Sequence, residues 1–200
     1  GGNGIIRTTP LSGGGYNTAQ LNNIDLYDAS RVLTVLTVGT IFNNLVVNNI
    51  TLNNNTAGVI DQYLDVGGDN SFQAGIGVLT VNGVISQTGL DAVNLQKRQG
   101  GVLILNSDNT YAGTTNVQQG RLVLGNVGAA GNAGSTINLN TNGSRRSDLE
   151  FRVDGAGPFV FNNVINTTGG DDNSTRVLVV GPKGPGSENQ VVQIPTLTIG

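Results

Sequence analysis

The sequence predicts an all-β chain wound as a parallel β-solenoid, and three observations carry that prediction. Short apolar stretches alternate in period two between Asn/Gly-rich breaks, which is the pattern of strand, turn and strand. A phrase built on Gly and alternating Leu or Val recurs along the chain. The composition also disfavours helices: of 200 residues, 31 are Gly, 27 Asn and 20 Thr, whereas Glu and Lys number two each. Exposed helix faces therefore lack their usual residues. Val, Ile, Leu and Phe still total 60 of the 200, well above the level of about 20% below which a chain stays disordered.

Taken in order, the expected strands are Arg31–Val38, Leu45–Leu52, Val59–Val66, Val78–Ile85, Val102–Leu105, Thr114–Val117, Arg121–Leu124, Thr136–Leu139, Asp148–Val153, Phe159–Ile165, Arg176–Val180 and Thr196–Ile199. No segment shows a helical period over 11 or more residues. Residues 1–30 read as looser, because Ser12-Gly13-Gly14-Gly15 leads into the polar stretch Tyr16–Gln20. Residues 181–188, with Pro182 and Pro185, read as a protruding loop. Nothing marks a stronger boundary, so 1–200 is expected to be one continuous segment of a longer polypeptide.

The recurrent phrase begins at Gly77 (GVLTVN), Gly101 (GVLILN) and Gly120 (GRLVLGN), at spacings of 24 and 19 residues. A second phrase, Asn82-Gly83-Val84-Ile85, is echoed by Asn162-Asn163-Val164-Ile165. Periods of about 20–50 residues mark solenoids and propellers, and the shorter spacing is too small for a four-stranded propeller blade. At about 20 residues per rung, 200 residues make roughly ten rungs. In such a stack, small residues turn the corners. Asn22-Asn23, Asn43-Asn44, Asn48-Asn49, Asn53-Asn54-Asn55 and Asn162-Asn163 are expected there, with amides stacked into hydrogen-bonded ladders.

Absences narrow the chemistry. The chain has no His, Cys, Met or Trp, so disulfides, zinc and iron–sulfur sites, Ser–His triads and Cys nucleophiles lack their atoms. A net charge of −3 and ten scattered basic residues give no footprint for nucleic acid. No apolar run approaches the 18 or so residues of a membrane span, and Gly1-Gly2-Asn3-Gly4 is not a signal peptide. Neither nucleic acid nor direct membrane insertion is expected.

Residues Gly100–Gly125 read GGVLILNSDNTYAGTTNVQQGRLVLG. This resembles the autotransporter-associated β-strand repeat, or passenger-associated transport repeat, whose pattern is G-x-L-x-L-x-x-x-N-T-Y-x-G-x-T-x-V-x-x-G-x-L-x-L-G. Gly101, Leu103, Leu105, Asn109, Thr110, Tyr111, Gly113, Thr115, Val117, Gly120, Leu122, Leu124 and Gly125 fall on its fixed positions in order. Leu95-Gln96-Lys97 resembles the usual lead-in, L-x-K-x-G-x-G, with Gln99 where Gly is common. The resemblance covers roughly Phe72 to Phe151 and implies a right-handed single-stranded parallel β-helix. Read as residues, Leu103, Leu105, Thr115, Val117, Leu122 and Leu124 share the inward parity of their strands. Asn109 and Gly113 are expected at strained corners, and Tyr111 along a corner with its hydroxyl at the solvent edge.

Candidate chemistry is sparse. Asp171-Asp172, in a turn-like run, is the one adjacent acidic pair, whereas a glycoside hydrolase needs two carboxylates about 5–9.5 Å apart across one bond. Asp65, Asp69 and Asn70 offer oxygens beside a Gly-rich turn as calcium candidates, although the calcium-binding nonapeptide is not repeated. Arg145-Arg146 lie in a polar loop that could meet an acidic glycan. No phosphate-cradling G-x-x-x-x-G-K-[ST] occurs, and no cofactor is expected. The resemblance implies a presentational stalk on a bacterial outer surface or in the extracellular space, anchored through regions outside this chain. Its partners would be adjacent repeats, surface glycans, neighbouring-cell proteins, or a second copy stacked on its ends. A filament subunit and a carbohydrate-active β-helix enzyme are the alternatives.

Overall fold

A computed structural model describes residues 4–8, 17–27, 31–37, 43–67, 77–139, 146–155, 157–167, 175–181 and 191–200. Eighteen strands and no helix occur among them. The first half holds β1 (Gly4–Thr8), β2 (Asn17–Tyr27), β3 (Val32–Thr37), β4 (Asn43–Asn54), β5 (Ile60–Val66), β6 (Val78–Val81), β7 (Ile85–Gly89) and β8 (Val93–Arg98). From the repeat onward come β9 (Val102–Leu105), β10 (Thr115–Val117), β11 (Gly120–Leu124), β12 (Thr136–Leu139) and β13 (Arg146–Phe151). The last are β14 (Phe159–Val160), β15 (Val164–Asn166), β16 (Thr175–Val180), β17 (Val192–Gln193) and β18 (Leu197–Thr198).

Every pairing among the described residues is parallel. Sheet I runs β1-β3-β5-β8-β10-β12-β15-β18, and sheet II runs β2-β4-β6-β9-β11-β13-β16, with β7 also on β4. The chain thus passes repeatedly between two faces, the arrangement of a parallel β-solenoid, while β14 and β17 pair with each other in a third, two-stranded sheet. One apolar core takes in buried side chains of both sheets. Period-two alternation sorts the side chains: Leu79 and Val81 of β6, Leu103 and Leu105 of β9, and Ile137 and Leu139 of β12 are all 0–1% exposed. Each such burial contributes about 1.5–3 kcal/mol.

Sheet I holds eight strands among the described residues, where about 20 residues per rung predicts roughly ten. Rung length varies. Leu95 stacks on Thr115 and Thr115 on Ile137, 20 and 22 residues apart, but Gln62 stacks on Leu95 only after 33. Seven steps of about 4.8 Å put the outer strands of sheet I about 34 Å apart, shorter than a ten-rung stack. Ahead of Arg31, where the sequence reads as looser, the structure has strands β1 and β2. Of the expected loop at 181–188, Gly181 alone is described.

The three Gly-Leu phrases do stack, because Leu79, Leu103 and Leu122 are successive partners in sheet II. The other echo does not: Ile85 lies in sheet II and Ile165 in sheet I. A corner followed by an inward Ile is what the two phrases share, and either sheet can use it.

Asn fills several roles. In β4 the alternation breaks at Asn48-Asn49, both exposed between buried Val47 and Ile50, so a corner sits inside a continuous strand. There the ladder forms, with Asn48 and Asn49 amides donating to the Oδ1 atoms of Asn22 and Asn23 at 3.1 Å. Farther up, Asn106 donates to Asn82 at 2.9 Å. Asn53, Asn54 and Asn163 are instead buried; Asn54 holds a turn by donating to the Gly58 carbonyl at 2.9 Å.

Candidate functional site: the buried polar seam of the repeat

Residues 93–131 combine the shortest rungs with a set of polar side chains sealed in the interior. Leu103, Leu105, Thr115, Val117, Leu122 and Leu124 are each 0% exposed. Between them runs a seam of hydrogen bonds that tie rung to rung. An unpaired polar group in such a place costs about 1–3 kcal/mol, so its satisfaction specifies register as well as shape.

Asn109 is the centre of this seam. It is 5% exposed; its Oδ1 accepts from the Ile85 N–H at 2.6 Å, and its Nδ2 donates to the Ala129 carbonyl at 2.5 Å. Its own N–H donates to the Gly128 carbonyl at 2.9 Å. The side-chain partners lie 24 residues before and 20 after, so one amide joins three successive turns of the chain. Its φ is not in the left-handed region; bridging, not corner strain, is what requires Asn here.

Tyr111 corrects a second expectation. Its ring is fully buried, and its hydroxyl donates to Thr115 Oγ1 at 2.6 Å, which donates in turn to the Ala130 carbonyl at 3.3 Å. The hydroxyl is therefore an interior link and not at the solvent edge. Burial pushes the phenol well above its usual range, while the Thr115 bond pulls the other way. Gly113 is needed for close approach: a Cβ would fall 2.5 Å from the Val93 carbonyl carbon.

Lys97 is the most unusual member. It follows the inward parity of Val93 and Leu95 on β8 and is 0% exposed. All three ammonium hydrogens are used, donating to the carbonyls of Arg98 (2.9 Å), Gln99 (2.6 Å) and Gln119 (2.9 Å). Burial lowers its pKa to about 7, against a smaller raising effect from Asp65. Gln99, at the position where the repeat favours Gly, has φ 66°, the one left-handed non-Gly residue among the described residues. Its Oε1 is buried without a hydrogen-bond partner. Sequence reading missed β8 because Lys97 interrupts the apolar alternation; a Lys at an inward position just before a Gly-rich turn was the available signal.

The other candidates lie apart from this seam. Asp65 uses both oxygens on Arg98, at 2.6 and 2.9 Å, and that guanidinium stacks 4.2 Å from the Tyr63 ring centroid. Asp69 and Asn70 fall outside the described residues, as do Asp171, Asp172 and Arg145. Among the described residues, no group of three or more acidic side chains could hold a metal ion. Arg146 joins a network on the outer face of sheet II that sequence reading also missed. Arg121 bridges Asp148 (3.3 Å) and Glu150 (3.2 Å), while Arg146 and Arg152 each cover one carboxylate at 2.6 Å.

Residues 95–124 match the family model described as Passenger-associated-transport-repeat. No curated protein and no solved structure matches the chain. The matched segment spans β8 to β11, the strands that bear Lys97, Asn109 and Tyr111 or flank them.

Proposed function

We propose that this chain is a structural, presenting segment of a passenger displayed outside the cell, a stalk whose stack holds other regions away from the surface. The observation that carries the reading is the position of the repeat: the segment matching the passenger-associated model holds the buried seam in which Asn109 ties three turns together. A rung whose polar groups are met mainly by its neighbours templates the next rung, since stability in a solenoid comes from nearest-neighbour interfaces. Adhesion belongs to this reading as a task of the stalk's faces or of regions it carries. A structural role is favoured over a catalytic one because Lys97, Asn109, Tyr111 and Thr115 are buried and spend their polar atoms on hydrogen bonds within the stack.

The test is surface display. The chain is placed between a secretion leader and an outer-membrane anchor, and its accessibility to added protease is measured on intact cells. Cleavage on intact cells, with at least a several-fold loss of displayed protein in Asn109→Ala, is expected. Retention inside the cell, or display that Asn109→Ala leaves unchanged, contradicts the proposal.

A further inference from the structure

The outer face of sheet I differs from that of sheet II in a way that points to a ligand. The outward positions read Thr114-x-Asn116 at β10, with Thr114 just ahead of the strand, Thr136-x-Asn138 on β12 and Val164-x-Asn166 on β15; the registers align Asn116, Asn138 and Asn166 in an Asn column and Thr136 and Val164 in a Thr column, which Thr114 extends. Thr198 continues the Asn column on β18. From β8 to β18 no charged side chain stands in these columns; Asp61, on β5, ends the Thr column and accepts from Asn94 and Gln96 at 3.0 and 2.9 Å, whereas the matching rows of sheet II carry the Arg121, Asp148 and Glu150 network. From β8 to β18 the columns form an uncharged lattice, repeating about every 4.8 Å along the stack and about 6.6–6.8 Å along each strand.

Its hydrogen-bonding capacity is only partly used. Asn138 donates to Asn116 Oδ1 at 2.7 Å, and Asn166 donates to Asn138 Oδ1 at 3.1 Å. An amide has two N–H donors and two acceptor lone pairs, so Asn138, with one bond of each kind in the ladder, keeps one of each for a ligand. Asn116 is nearly buried, whereas Thr136, Asn138 and Asn166 are half-exposed. The ladder fixes the amide planes, so these groups are held in place before anything binds, which lowers the ordering cost of association.

We propose that this face binds an extended, uncharged, β-linked polysaccharide laid along the stack, with its hydroxyls meeting the Thr and Asn columns. Electrostatics select the partner: the columns carry no cation to hold an acidic polymer, Asp61 at their β5 end repels one, and from β8 to β18 they offer a neutral polymer no ion to desolvate. Repetition selects an extended chain, because each sugar of a β-linked polymer advances by close to one rung, so contacts recur in step. The inference rests on the display reading only for its biological setting, since binding is a property of the purified chain.

The experiment is a depletion assay with the purified chain on insoluble cellulose and chitin, with alginate gel as the acidic comparison. Retention on at least one neutral polymer and not on alginate is expected. Thr136→Lys/Asn138→Lys should weaken retention at least ten-fold, with an unchanged circular dichroism spectrum and melting temperature. Thr80→Lys, on the outer face of sheet II, should leave it unchanged. No retention on either neutral polymer, preference for alginate, or retention insensitive to the double substitution overturns the proposal. If the double variant is misfolded, Asn166→Lys alone is the deciding variant, with the same expected weakening. Failure here leaves the display assay untouched, and failure of display leaves this binding assay untouched.

Discussion

The rungs of the repeat and the rungs around them use the same architecture with different means of support. Across β8, β10 and β12, successive partners are 20 and 22 residues apart; from β12 to β15 they are 28 apart, and from β5 to β8, 33. Loop length alone explains little. Closing 33 residues instead of 20 costs only about 0.4 kcal/mol more by the logarithmic law. One unpaired buried amide partner costs about 1–3 kcal/mol, and the repeat has several such groups satisfied across rungs. Toward the last strands, Val180, Leu197 and Ile199 are 52%, 40% and 78% exposed, so side chains of similar chemistry contribute much less. Sealing of the interior, more than compactness of the rung, separates the two regions.

The sharpest way to break that contrast is to place a charge in each. Leu124→Asp buries a carboxylate among fully covered side chains and should cost more than about 4 kcal/mol, enough to open the stack. Leu197→Asp, on exposed β18, should cost less than about 1 kcal/mol. Chemical denaturation of both variants gives the comparison, and equal losses would remove the distinction.

Next in size is the amide bridge. Asn109→Ala strands the Ile85 N–H and the Ala129 carbonyl, so a loss of about 2–4 kcal/mol is expected. Asn48→Ala removes one bond from the exposed ladder and should cost about 0.5 kcal/mol or less. Thermal melts of the pair, run side by side, check the ratio.

Lys97 adds a pH dependence. Its folded pKa, about 7, lies below the ordinary lysine value of 10.5, so between these the unfolded chain binds more protons than the folded one. Stability therefore rises with pH from about 7 upward, by up to about 1.4 kcal/mol per pH unit from this group. Below 7 both states are charged and the contribution is flat. Denaturation at pH 7, 8 and 9 should show the rise in the natural chain and not in Lys97→Met. A small effect of opposite sign is expected at Gln99→Gly, which relieves a left-handed Gln and removes a buried orphan oxygen. A gain of about 0.5–1 kcal/mol, read as a higher melting temperature, is expected.

These residues also show what could be read from sequence alone. The inward Leu and Val positions of β9 and β11 were legible, because alternation on a strand has a single physical cause. The family resemblance at Gly100–Gly125 was legible for the same reason and is matched over residues 95–124. The roles of Asn109 and Tyr111 were not. Both residue types suit exposed corners; Asn109 is held inside by partners 24 residues before and 20 after, and Tyr111 by Thr115, which is itself tied to Ala130. Lys97 hid its strand, since a charged residue among apolar ones reads as a break until the three converging carbonyls are seen. Variable rung length likewise makes a uniform length of about 20 residues a poor measure of the stack, in which sheet I holds eight strands among the described residues where that length predicts roughly ten rungs.

Native-state hydrogen exchange, resolved by residue, tests most directly the claim that the repeat is the best-secured part of the stack. Opening free energies follow local burial and hydrogen bonding, so amides of β8 to β11 should be the slowest to exchange and those of β16 to β18 faster by orders of magnitude. Uniform protection along the chain, or faster exchange within residues 95–124 than in the last strands, would contradict it.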